Sequence, residues 1–341
     1  MKLNHVSCVL IAVMFFLGGK SIQAQTNDLQ PQPSKLKIEI MDAEALGILD
    51  SSATIEIIGK GFKWTEGPLY IKEGNYLIFS DIPDNKIYEW QEGKELMTFL
   101  MPSGNTGPAT KAKEPGSNGL LLSPDGHLIL CQHGDRRIAK MAAPLNNPRP
   151  EFVTIVDKYM GKRLNSPNDA VYHSNGDLYF TDPPYGLTNG IKDSTRELDF
   201  QGVYRLKPNG QLDIVTKELK YPNGIALSPD RKFLFVSSSD PDNYVWMQYE
   251  LDANGLAKSQ KVFHEAHAFE GKNLGAPDGM KINKSGYIFA SGPEGIWLFN
   301  SSGKLIAKIY TGQLTANCGL TPDEKELFIT CDHFVMRLKL K

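Results

Sequence analysis

Six times along the chain, a short run of alternating apolar and polar residues leads into a tight turn and then a second, more apolar run. The stretches are "EGPLYIKEGNYLIFSD" from Glu66, "NGLLLSPDGHLILCQHG" from Asn118, "NDAVYHSNGDLYFTD" from Asn168, "NGIALSPDRKFLFVSSS" from Asn223, "DGMKINKSGYIFASG" from Asp278 and "ANCGLTPDEKELFITCD" from Ala316. Alternation with a period of two marks β-strands, and the Gly-, Asn- or Asp-rich punctuation between the runs marks hairpins. Further strand pairs lie between these units, such as "GVYRLKPNGQLDIVTKEL" (Gly202–Leu219) and "GIWLFNSSGKLIAKIY" (Gly295–Tyr310). No stretch shows a convincing long helical period.

The starts are spaced by 52, 50, 55, 55 and 38 residues. Self-similarity near this period signals a propeller or another repeat array. Four strands per unit and six units predict an all-β, six-bladed β-propeller over residues 36–341. The last unit is short, because after Cys331 only "HFVMRLKL" is long enough to be a strand. The front of the chain can supply the missing strand from "ATIEIIGKG" (Ala53–Gly61), closing the ring and removing an exposed edge. Residues 36–50 are expected to lie against the outside.

In a propeller the first strand of each blade lines the central channel, and its first residues face one mouth. Those positions read Glu66, Asn118, Asn168, Asn223, Asp278 and Ala316. Asn-Gly pairs are common loop punctuation and would by themselves account for Asn118 and Asn223. The same register also holds Glu66 and Asp278, which punctuation does not explain. Carboxylate and amide oxygens converging without sulfur or histidine suit one hard divalent cation, calcium first, with magnesium, manganese or zinc as alternatives. The second strands are expected to return to the same mouth at Asp81, His133, Asp182, Ser239 and Asp332. The loops Met101–Ser117 and Tyr185–Gln201 are long enough to form a rim or lid.

Composition narrows the partners. The chain has 341 residues, 41% of them hydrophobic, and a net charge of −2 with no long basic run, which argues against nucleic acid. Lys2 followed by the apolar run Val9–Leu17 and "SIQAQ" reads as an export signal over residues 1–24. A polar leader over 25–35 follows, and the expected destination is periplasmic or secreted, with no membrane span after cleavage. Cys8 precedes the apolar run and is a poor lipid-attachment site. Cys131, Cys318 and Cys331 have no metal-ligand spacing. Cys318 and Cys331 are expected on neighbouring strands of the last blade, roughly opposite one another, with a disulfide left open.

At "EGPLY", "SNGLLLSPDGHLILCQHGDRRI", "SPNDAVYHSNGDLYFTDPPYGL", "YPNGIALSPD" and "GAPDGMKIN" the chain resembles the SMP-30/gluconolactonase/regucalcin family. "YFTDPPYG" and "CQHGDRR" are most similar to its bacterial gluconolactonase branch, and the likeness runs from about Ile55 to the C-terminus. The resemblance implies a propeller with one catalytic divalent metal in the channel. It matches Glu66, Asn223 and Asp278 to the family's metal ligands, and Asn168 to a position that binds metal or substrate. The arginine that animal members carry two residues before that asparagine is Ser166 here, which puts their sugar contacts in doubt.

The expected activity is hydrolysis of a small-molecule lactone, in particular an aldonolactone such as glucono-1,5-lactone. Asp278 is the first candidate for general base, with His133 and Asp182 as second candidates. Asn118, Asn168, Arg136 and Tyr185 are candidates for substrate contact, against plainer readings of Arg136 as a solvated loop residue and Tyr185 as turn packing. Four readings compete: a phosphotriesterase-like or other ester hydrolase on the same metal ring, a strictosidine-synthase-like propeller, against which the Glu/Asn/Asn/Asp ring argues, a non-catalytic binding propeller, and calcium in a purely structural role.

Overall fold

The computed structural model describes residues 36–108, 111–266 and 274–341. The expected export signal and leader, including Cys8, lie outside them. Among the described residues six antiparallel blades are arranged as the spacing predicts, with a separate two-stranded ribbon of Lys158–Tyr159 and Lys162–Arg163. From the inside outwards, blade 1 comprises Thr65–Ile71, Tyr76–Asp81, Lys86–Trp90 and Met97–Leu100. Blade 2 comprises Ser117–Leu122, Leu128–Gln132, Arg137–Met141 and Phe152–Val156. Blade 3 comprises Ala170–Tyr172, Leu178–Asp182, Gly202–Leu206 and Leu212–Thr216. Blade 4 comprises Pro222–Leu227, Phe233–Asp240, Asn243–Leu251 and Ala257–Glu265.

The two ends of the chain complete the last two blades. Blade 5 comprises Met280–Ile282, Ile288–Gly292, Gly295–Phe299 and Leu305–Tyr310, with Lys37–Ile40 added on its outer edge. Blade 6 comprises Thr315–Leu320, Glu326–Cys331 and Phe334–Lys339, and its outer strand is Glu56–Lys60 from the front of the chain. The closing register sets Glu56 opposite Arg337 and Lys60 opposite Phe334. Arg337 fixes the joint. Its guanidinium donates to Glu56 at 2.6 and 2.9 Å, pairs with Glu92 of blade 1 and Glu326 of its own blade, and lies over the Trp90 ring.

Each pair of neighbouring blades encloses one hydrophobic cluster. Leu77 and Phe79 face Phe328 and Val335 of blade 6, while Ile78 between them faces Leu120 and Leu130 of blade 2. Trp246 and Phe235 of blade 4 meet Trp297 and Phe299 of blade 5. Both faces of the middle strands are therefore dry, which is why their sequences read as near-continuous apolar runs. Outer strands lack this cover, and Ala257–Glu265 is largely exposed.

Near the channel the blades approach more closely than apolar side chains allow. A hydroxyl on the second strand of one blade donates to the backbone carbonyl at the mouth position of the next. Ser80 reaches Asn118 O at 2.9 Å, Thr181 reaches Asn223 O at 2.7 Å, Ser237 reaches Asp278 O at 2.7 Å and Ser291 reaches Ala316 O at 2.8 Å. Blade 2 has buried Cys131 at this place instead. A glycine after the mouth residue makes room. A Cβ added to Gly67 or Gly224 would lie 2.2 Å from the carbonyl oxygen of Asn118 or Asp278 respectively. The Asn-Gly pairs thus belong to strands under close approach and not to turns.

The three described cysteines are free and buried. Cys318 and Cys331 are on adjacent strands as expected, but Cys318 faces Ile329 and Cys331 faces Thr315. A diagonal pair of this kind stands roughly 7–8 Å apart between Cα atoms, too far for a bridge.

Truncation before residue 36 should leave cooperative thermal unfolding intact, whereas a chain starting at Phe62 should lose it. A folded product from the longer truncation, seen by calorimetry, would contradict closure by the N-terminal strand. Arg337→Met should lower Tm by several degrees, since three carboxylates then lose their common partner.

Candidate active site

The mouth residues are set by breaks in the strand ladders. Register shifts fall at Glu66/Leu69, Ser117/Leu120, Pro222/Ile225 and Thr315/Asn317, each at the start of an inner strand. Bulges of this kind re-aim side chains and end pairing locally. Glu66, Asn118 and Asn223 are placed this way, while Asn168 and Asp278 stand just before the inner strands of blades 3 and 5; the five, from five different blades, line one cavity of about 250 Å³. Trp64, Glu114, Tyr185, Ser239, Leu314 and Thr315 contribute to the walls.

The cavity is rich in acceptors without donors. Asn223 Nδ2 donates to Ser239 Oγ at 2.9 Å, and Ser239 Oγ donates to Pro277 O at 2.6 Å. The serine hydroxyl therefore accepts from the amide, which fixes the flip of Asn223 and leaves its Oδ1 unpaired. Asn118 Oδ1 and Asp278 Oδ1 are likewise buried without a hydrogen-bond partner. Glu66 is 2% exposed, and its Oε2 accepts from Gly67 N at 2.9 Å and Asn317 Nδ2 at 3.0 Å.

Two protonation equilibria reflect this. Burial pushes the Glu66 carboxyl up to about 7 against the two hydrogen bonds that hold its anion. Asp278 is pushed well up by burial and then by the carboxylates of Glu66, Glu114 and Asp169. Unpaired oxygens and carboxylates that resist ionisation define a site short of positive charge. A hard divalent cation fits that donor set of two carboxylates and amide oxygens. Among the described residues no group of three or more His, Cys, Asp or Glu side chains forms a cage, so the ring fits only as a mixed carboxylate–amide set.

The second-strand ends behave differently. Of Asp81, His133, Asp182, Ser239 and Asp332, only Ser239 lines the cavity. The two oxygens of Asp182 each accept a backbone N–H at 2.8 Å, from Asn165 and Ser166. Asp81 likewise receives Lys63 N and Trp64 N. Both carboxylates hold the loop that leads into the inner strand, and Asp182 is fully buried away from the cavity. His133 is also fully buried, with Glu114 Oε2 at 3.4 Å from its Nδ1. Arg136 is not at the mouth either. It is buried in a left-handed conformation, with φ 59°, and donates to the carbonyls of Leu164, Asn165 and Thr195. Tyr185 does line the cavity and stacks on Tyr221, with ring centroids 6.0 Å apart.

Three residues near the site had no place in the sequence register. Asn317, which orients Glu66, lies one position after Ala316, because the bulge of blade 6 falls at Ala316 itself and pairing resumes at Asn317. Glu114 comes from a loop, where no periodicity marks it. Asp169 follows Asn168 where blades 1, 2, 4 and 5 have glycine, and is buried with Lys281 Nζ at 3.9 Å. A larger cleft of about 440 Å³ between the hairpin turns of blades 1 and 6 has Lys72, Asp323, Lys325 and Lys339 in its wall. It has none of the unpaired buried atoms.

The family model described as the SMP-30/Gluconolactonase/LRE-like region matches residues 64–333. A gluconolactonase of Zymomonas mobilis subsp. mobilis is 42% identical, covering 100% of this chain and 98% of its own. The diisopropyl-fluorophosphatase of Loligo vulgaris is 22% identical over 67% of this chain and 75% of its own. Among solved structures, a gluconolactonase from Xanthomonas campestris superposes with a TM-score of 0.76 at 27% identity, covering 89% of this chain and 95% of that one. The calcium-binding protein regucalcin of Agrobacterium tumefaciens has a TM-score of 0.64 at 16% identity, covering 85% and 95%, and shares the fold.

The raised Glu66 equilibrium has a definite sign in metal-free protein. A carboxyl held near 7 in the fold and near 4.5 when unfolded stabilises the fold below about pH 4.5, and that contribution is lost as pH rises through 7. After EDTA treatment, Glu66→Gln should therefore have a higher Tm than the parent at pH 8, and the gap should close by pH 4. A gap that does not change with pH would refute a buried carboxylate that lacks a countercharge.

Proposed function

The chain belongs to the SMP-30/Gluconolactonase/LRE-like family, and from that premise we propose that it is a lactone hydrolase acting on sugar lactones, as a gluconolactonase does. The reaction is placed in the channel-mouth cavity. The observation that carries the reading is the set of unpaired oxygens on Asn118, Asn223 and Asp278 facing one cavity with Glu66. The full-length relative of 42% identity supports the substrate class.

Glu66, Asn168, Asn223 and Asp278 would hold one divalent cation, with calcium favoured by the all-oxygen set. Bound there, it supplies Lewis-acid polarisation of the lactone carbonyl and acidifies water. Asp278 has an oxygen free of hydrogen bonds and is placed to take the proton of the attacking water. Water adds to the acyl carbon, the ring C–O bond breaks, and the proton returns to the departing alkoxide, giving the open hydroxy acid. Asn118 Oδ1 accepts a hydroxyl from the substrate, and Tyr185 and Trp64 wall the cavity from bulk water. His133, Asp182 and Arg136 act on this reading as supports of the surrounding loops. Export directed by residues 1–24 belongs to the same proposal, motivated by Lys2 and the Val9–Leu17 run; N-terminal sequencing of the mature protein tests it.

Proton release from glucono-1,5-lactone should disappear with EDTA and return on adding Ca²⁺, with Mg²⁺, Mn²⁺ and Zn²⁺ as comparisons. Glu66→Gln and Asp278→Asn should each lower turnover on the order of a hundredfold or more. Parent-like metal binding and turnover in both variants would remove the reaction from this cavity. EDTA-sensitive turnover of a phosphotriester but not of any lactone would favour the competing ester-hydrolase reading.

A further inference from the structure

We propose that Glu114, oriented by His133, sets substrate charge, so that the cavity accepts neutral lactones and excludes anionic ones. The inference rests on the lactone reading above and deepens it. Glu114 lines the cavity, and its side chain is 31% exposed, so it is reachable from the mouth. It is outside the proposed metal ring.

Its position is built into the fold. The segment that follows it is pinned by backbone bonds to both neighbouring blades: Gly116 N donates to Ile82 O at 2.9 Å, His133 N to Gly116 O at 3.2 Å and Gly134 N to Pro115 O at 3.2 Å. A Cβ at Gly116 would lie 2.6 Å from Ile82 O, so the segment has no room to shift. Beneath the carboxylate sits the His133 ring, with no exposure and neither nitrogen hydrogen-bonded. Glu114 Oε2, 3.4 Å from Nδ1, is the acceptor this imidazole faces. With its proton on Nδ1 the imidazole would donate to that carboxylate, and on this proposal His133 is a positioning residue for Glu114.

Charge counting gives the function. The described cavity wall carries three carboxylates, Glu66, Glu114 and Asp278, and no lysine or arginine. A divalent cation on the ring balances Glu66 and Asp278. The Glu114 charge then faces no lysine or arginine in the space left for the part of the substrate remote from the reacting carbonyl. Hydroxyl groups can donate to it. A second carboxylate or a phosphate on the substrate meets repulsion and no basic partner. One elementary charge at roughly 8 Å, at an effective dielectric of about 20–40, amounts to on the order of tenfold in binding.

The test compares glucono-1,5-lactone with glucaro-1,4-lactone, which carries an extra carboxylate. The parent should favour the neutral lactone. In Glu114→Gln the ratio of kcat/KM values, neutral over anionic, should fall about tenfold, mainly through KM of the anionic lactone. Glu114→Asp should retain the parent's preference, and His133→Asn should lower it with Tm held near the parent value. Calorimetric titration with glucarate reads the same effect without turnover, and its affinity should rise about tenfold in Glu114→Gln. A parent that hydrolyses neutral lactone, with a preference and a glucarate affinity that Glu114→Gln leaves unchanged, overturns the filter alone. Equal loss of both activities in Glu114→Gln, with unchanged glucarate affinity, overturns it too and moves Glu114 into the reaction itself. A parent inactive on every lactone defeats the functional reading, and glucarate affinity then still decides whether Glu114 repels anions.

Discussion

The arrangement depends on how closely six inner strands can approach around one axis. At the mouth the spacing is set by polar contacts, a hydroxyl of one blade donating to the mouth carbonyl of the next, as Thr181 does to Asn223 O and Ser237 to Asp278 O. The short distances exclude a Cβ after the mouth residue, which explains the glycines behind Glu66 and Asn223. Once the carbonyl is tied to a neighbouring blade, the backbone of the mouth residue has little freedom. In blades 1, 2 and 4 the bulge then aims its side chain. The girdle that sets blade spacing therefore also fixes the donor ring.

The ring is costly for the fold by itself. Each unpaired buried acceptor forfeits about 1–3 kcal/mol of hydration, and a buried carboxylate forfeits more. Asn118, Asn223 and Asp278 all carry such atoms and stand together, whereas the clusters between blades hold them singly, at Tyr204, Trp246 and Tyr249. The blade interfaces and the terminal closure supply the stability, and the channel mouth spends part of it on a preorganised site. Proteins concentrate this kind of mismatch where they act on ligands. Asn317 and Ser239 show the same economy, since each uses one hydrogen bond to orient a ring oxygen.

Blade number, the closing strand and five mouth residues were legible in the sequence because they follow from a period and a repeated register. What failed lies where the register breaks. The spacing pointed to Ala316 in blade 6, but the bulge falls on Ala316 itself and brings Asn317 to Glu66. Asp182 and His133 end strands of the right length, yet the loop before each inner strand crosses in front of them. Asp182 spends both oxygens on that loop. For Arg136 the sequence leaves substrate contact and a solvated loop side by side, and its left-handed backbone instead turns it inward to three carbonyls. Glu114 is in a loop, so no pattern of apolar positions marks it, and tertiary bonds to Ile82 and His133 decide where it points. Cys318 and Cys331 show the same limit, since a two-residue offset between strands separates adjacent from bonded.

The central claim is that oxygens from four blades converge on one cation. The most direct measurement is anomalous diffraction from a crystal of the full chain soaked in calcium. The account predicts one strong peak at the channel mouth, about 2.3–2.6 Å from oxygens of Glu66, Asn168, Asn223 and Asp278. A calcium-soaked crystal with no peak there, or with its only peak away from these four residues, would contradict it.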